Sequence, residues 1–108
     1  MVVCVAVTPD GQIGPRWGRA DRVAIANVQG GALAGWQEFE VGWDRLHDAG
    51  TEGAHHARVA RFLLEHHVET VVAQHVGEGM LGMLRQMGLQ VRLGAVGDAR
   101  EAAIAAAA

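Results

Sequence analysis

Lysine, serine and tyrosine are missing altogether from the 108 residues, and cysteine occurs once, as Cys4. Without serine or lysine there is no serine nucleophile and no Schiff-base amine, which closes the commonest routes of covalent catalysis. A lone cysteine forms no internal disulfide, and its place inside Val2-Val3-Cys4-Val5-Ala6-Val7 marks it as a small buried hydrophobe. Nor can one thiolate cage a metal cluster, because such cages need several. Apolar runs are short of bilayer length, and the opening residues carry neither a basic region nor a cleavage site, so a cytoplasmic protein without membrane association is expected. Nine basic residues stand against twelve acidic ones, for a net charge of -3. There is no excess of positive charge to attract nucleic acid.

What is present reads as one α/β domain spanning residues 1–108. Half of the residues are hydrophobic, enough for a core. Val2 to Val7 is a continuous, β-branched run closed by Thr8-Pro9-Asp10-Gly11, the pattern of a central strand entering a turn. Arg22 to Val28 and Ala32 to Val41 form a hairpin around Gln29-Gly30-Gly31. Gly42 to Gly53 has no period and reads as a loop leading into a helix. From Ala54 to His67 the positions His56, Val59, Ala60 and Leu63 share one helical face, with Phe62 beside them and Arg58, Arg61 and Glu65 towards solvent. Glu69 to Ala73 is a fourth strand, Gly77 to Met87 a second helix stopped by Gly88, and Leu89 to Leu93 a fifth strand. Asp98 and Glu101 stand at capping-box spacing before a last, alanine-rich helix. The hairpin front and crossover back predict a three-layer, ribonuclease H-like fold: a mixed five-stranded sheet, its second strand antiparallel to the rest, with helices on both faces.

In their order and spacing these segments resemble the dinitrogenase iron-molybdenum cofactor biosynthesis family. The resemblance runs through the opening strand, Asp10-Gly11-Gln12-Ile13, Arg16-Trp17-Gly18-Arg19-Ala20, the helix from Ala54, Val71-Val72-Ala73, Val76-Gly77 and Met87-Gly88-Leu89. It implies a non-catalytic binding or carrier protein for an iron-sulfur or iron-molybdenum type cofactor or its precursor, held transiently, with a cofactor-donating or accepting protein as partner. The family has an aromatic-glycine pair in its first loop, matched here by Trp17-Gly18, while Arg16 stands where the family often has histidine. Arginine cannot ligate a metal. Where the family tends to carry glycines after the fourth strand, Gln74 and His75 precede Val76-Gly77.

Loops that follow parallel strands gather at the carboxyl edge of an open sheet. There the first loop brings Arg16, Trp17 and Arg19, the third brings Trp43, Asp44 and His47, His55 and His56 open a helix, and His75 and Gly77 sit in the turn after the fourth strand. Three helices beginning at that edge add positive dipole ends. The candidate cofactor-binding set is Arg16, Trp17, Arg19, His55, His56, His75 and Gly77, with His75 and His55 or His56 as metal ligands. A histidine pair at a helix start also fits a solvated first turn, and Trp17 and Trp43 fit loop anchors as well as stacking platforms. His66 and His67 read as helix-end residues, and Glu38 and Glu40 as the solvated side of a strand.

Two other functions compete. A two-metal nuclease is disfavoured, since Val2 to Val7 carries no carboxylate and the fourth strand has only Glu69, at its far end. The alternative is a protein-interaction or regulatory module without a metal cofactor, pairing through the hairpin edge at Ala32 to Val41, with a homodimer as one form of that pairing. A small-anion site at the same rim is a third option.

Overall fold

The computed structural model describes all 108 residues as a five-stranded sheet in the order β3-β2-β1-β4-β5. Strand β1 (Val2–Ala6) lies in the centre and is covered on both faces, which is why its sequence is apolar without alternation. Val3 and Val5 enter one core, Cys4 and Ala6 the other. Strand β2 (Arg22–Gln29) runs antiparallel to β1 with Cys4 opposite Ile25, and β3 (Ala32–Glu40) runs antiparallel to β2. Gly30 and Gly31 join them at φ of 59° and 78°, the pair of left-handed conformations a two-residue hairpin turn requires. Strands β4 (Thr70–Val72) and β5 (Gln90–Arg92) continue the sheet in parallel, so β2 alone opposes the other four, as expected.

Helices α2 (Glu52–Glu65) and α3 (Glu78–Gln86) cover one face, where Trp17, Trp43, Val59, Leu63, Met80 and Leu84 are buried. Helix α4 (Ala99–Ala106) covers the other face alone, pressing Ala99, Ala103 and Ala106 onto Val3, Val5 and Ala24. Alanine lets that helix approach closely. Its start is capped as the spacing predicts, with Asp98 Oδ1 accepting from the Glu101 amide at 2.9 Å. No helix is long and apolar enough to cross a membrane.

Four local expectations need correction. The stretch after β3 is not all loop: Trp43–Leu46 forms the short helix α1, entered through Gly42 at φ 63° and anchored by the buried Trp43. Helix α2 begins two residues early because the Thr51 hydroxyl accepts from the Ala54 amide at 3.0 Å. Its buried stripe is His55, Val59 and Leu63, at i, i+4 and i+8, so the inward histidine is His55 and His56 stands beside the stripe, half-buried. Arg58, expected in solvent, is half-buried as well. At the other end of α2, His67 takes φ 55°, while the Val68 amide donates to Leu63 O at 3.0 Å and closes the last turn. The ring of His66 packs between Phe39 and Phe62, with centroids 4.6 and 4.5 Å away.

Candidate functional site

Beyond the carboxyl end of β1 the chain is tied down by its own amides: Gly14 donates to Ala6 O at 2.9 Å, and Trp17 donates to His75 O at 3.2 Å. Between these points Trp17–Arg19 makes one 3₁₀ turn. Its indole is fully buried and meets Trp43 edge to face, centroids 5.2 Å apart, while Trp43 in turn meets Phe62 at 5.6 Å. The tryptophans are therefore anchors beneath the loops, and both indoles lie too deep to stack on a guest. The Trp17 Nε1–H has no oxygen or nitrogen acceptor and faces the thiol of Cys4, whose burial pushes its pKa up to about 12. That thiol is inert at neutral pH.

Above this aromatic floor opens a cavity of about 560 Å³. All seven expected residues line it: Arg16, Trp17, Arg19, His55, His56, His75 and Gly77. They come from the β1 loop, the first turn of α2 and the β4–α3 turn, so distant segments meet on one side of the sheet. His47 joins them from the end of α1. Two helix N-termini, not three, border the cavity. The start of α4 is used elsewhere: the Ala99 amide donates to Gly11 O, and Gln12 pairs with Asp98.

The residues differ in how free they are. His55 is 1% exposed, and both ring nitrogens are engaged: Arg58 Nη1 donates to Nδ1 at 2.9 Å, so Nε2 carries the proton and donates to Gly18 O at 2.9 Å. Arg58 also donates to Leu46 O at 3.3 Å, joining α1, α2 and the first loop. Burial above all holds the His55 pKa below its ordinary value; the bond to Gly18 opposes this, and charge on His47, Arg58 and His56 adds to it. A neutral imidazole with both nitrogens occupied has no lone pair to give, so the place expected for His55 as a metal ligand is corrected to that of a wall and brace. His56 and His75 make no such pair of bonds. His56 Nε2 lies 3.6 Å from Glu52 Oε1, and the His75 side chain is exposed. His47 Nδ1 is bound to Asp48 Oδ1 at 3.0 Å, which holds the Asp48 carboxyl below its usual range.

Three lining residues were not singled out from the sequence: Glu52, Glu78 and Gly79. The two glutamates stand in the first turns of α2 and α3 and oppose the dipoles there, so charge complementarity to an anion comes chiefly from Arg16 and Arg19. Thr51 followed by Glu52 was the available signal for the first of them. No group of three or more histidine, cysteine, aspartate or glutamate side chains is assembled for chelation, so the donors are dispersed round an open mouth.

The family model described as dinitrogenase iron-molybdenum cofactor matches residues 1–108. Comparison with curated protein sequences yields no match. Among solved structures, a crystal structure described as that of PH0822 superposes with a TM-score of 0.75 at 17% identity, covering 98% of this chain and 90% of that one. At that identity the likeness establishes the fold.

Proposed function

The chain belongs to the dinitrogenase iron-molybdenum cofactor family, and from that premise we propose that it is a non-catalytic carrier whose cavity holds an anionic iron-sulfur or iron-molybdenum type cofactor, or its precursor, as transient cargo. The observation that carries the reading is the convergence of Arg16, Arg19, His56 and His75 on one open cavity of about 560 Å³. The donor chemistry fits a cargo that brings its own sulfides. Such a cluster needs only one or a few terminal ligands from the protein, which imidazole supplies, and its outer charge is matched by guanidinium. Thiolate contributes nothing, since Cys4 is sealed beneath Trp17. Few ligands and an open mouth suit transfer to an accepting protein better than permanent storage. In this reading Gly77 leaves room at the start of α3, Trp17 supports the floor, and His55 braces the Gly18 carbonyl against α2.

The test is anaerobic mixing with a synthetic [4Fe–4S] tetrathiolate cluster, followed by gel filtration and iron analysis of the protein peak. Retention by the wild type, reduced roughly tenfold or more in affinity by Arg16→Gln with Arg19→Gln through loss of charge-assisted contacts, is the expected result. A protein peak without iron would overturn the reading. The second reading, an interaction module that binds no metal cofactor, draws on the outer edge of β3, which no strand covers. It predicts a colourless dimer by light scattering, dispersed by a proline at an outward-facing β3 amide.

A further inference from the structure

Glu52 and His56 stand one helical turn apart on α2, and both abut the first turn of α3 at Gly79. A methyl group at Gly79 would lie 2.9 Å from Glu52 Oε1 and 3.2 Å from His56 Cε1, closer than carbon contacts normally come. Gly82, one turn further along the same helix, has nothing within 4 Å of the equivalent point. The backbone of Gly79 is ordinary right-handed helix, so no left-handed dihedral demands glycine there, and glycine is the poorest helix former after proline. What the missing side chain leaves is a surface notch, against which lie the ring edge of His56 and the carboxylate end of the largely exposed Glu52 side chain. The His56 side chain keeps 23% of its surface exposed, enough to be reached from the cavity it lines. Left alone, an exposed Glu–His pair at 3.6 Å would hold little order.

We propose that Gly79 and Glu52 are positioning residues for His56: the bare α-carbon admits the carboxylate and imidazole between α2 and α3, and the carboxylate sets the ring's orientation towards the cargo. The assignment rests on the carrier reading of the cavity. Carboxylates that orient a ligating histidine commonly change metal affinity by ~10–100-fold when removed. Both residues line the cavity, but Glu52 carries the same sign of charge as the cargo and Gly79 has no side chain, so each favours binding only through the pose of one ring.

The first arm of the experiment needs no cargo. In the wild type, nuclear Overhauser contacts connect His56 Hε1 with Gly79 Hα; in Gly79→Ala the Glu52 carboxylate is driven out, the His56 ring resonances move, and the melting temperature stays level or rises, because alanine favours the helix. The second arm measures affinity for the synthetic [4Fe–4S] tetrathiolate cluster under anaerobic conditions. Gly79→Ala and Glu52→Ala each lose about tenfold or more, and the double variant loses no more than the larger single, because both act through His56. Absence of the Overhauser contact, wild-type affinity in Gly79→Ala, or losses that multiply in the double variant overturn the assignment while leaving the carrier reading intact. If the wild type itself retains no cluster, the carrier reading falls and takes this assignment with it.

Discussion

Replacing Arg58 with methionine keeps the aliphatic stem of the side chain and removes both hydrogen bonds that its Nη1 gives, to His55 Nδ1 at 2.9 Å and to Leu46 O at 3.3 Å. The first loss leaves an imidazole nitrogen, in a residue 1% exposed, without its donor. An unsatisfied buried acceptor costs about 1–3 kcal/mol, and the longer, partly solvated bond to Leu46 adds about 0.5 kcal/mol. The sum is about 2.5 kcal/mol, which for a chain of this size corresponds to a fall of about 10 °C in melting temperature. Urea unfolding followed by the fluorescence of the buried Trp17 and Trp43 reads it directly. The pH dependence gives a second handle. His55 is held below its ordinary 6.5 in the folded protein, so the unfolded chain binds the extra proton first, and stability present above about pH 6.5 is lost as pH falls below it. Arg58 contributes to that depression, and its removal also vacates Nδ1 for a proton, so the variant loses less stability on acidification than the wild type. A change under about 0.5 kcal/mol at pH 7.5, with the acid dependence unaltered, would refute the brace.

His67 adopts φ 55° without being glycine, so His67→Gly stabilises by about 0.5–1 kcal/mol in the same urea assay by relieving the left-handed strain; a loss of stability would mean that its ring has a partner. Cys4 is fully buried with its thiol pushed up to about 12, so it resists iodoacetamide at pH 8 in the folded protein and reacts readily once urea has unfolded the chain. Labelling at equal rates in the two conditions would contradict the packing beneath Trp17.

Features decided by neighbouring residues were legible in the sequence. The unbroken valines of β1 announced a strand covered on both faces, Gly30-Gly31 announced the hairpin, and Asp98 with Glu101 announced the cap of α4. The gathering of Arg16, Arg19, His56 and His75 was also within reach, because loops after parallel strands must share an edge. What escaped depends on contacts between distant segments. Which of two adjacent histidines faces inward was settled by the Gly18 carbonyl, 37 residues away, which takes the ring of His55. Arg58 looked solvated because its acceptors, Leu46 O and His55 Nδ1, come together only when α1 folds against α2. Gly79 carries no motif, and Glu52 is marked only as the residue after the capping Thr51. Their meaning lies in the closeness of two helices, which no local pattern encodes.

The proposed function requires imidazole from this cavity to ligate the cluster. Pulsed electron paramagnetic resonance on the reduced, cluster-loaded protein tests it most directly, because a histidine bound to iron imprints nitrogen hyperfine coupling on the cluster's spectrum. That coupling is expected in the wild type and disappears in the double variant His56→Ala, His75→Ala. A cluster retained with no nitrogen coupling, or with coupling that survives in the double variant, would contradict that ligation.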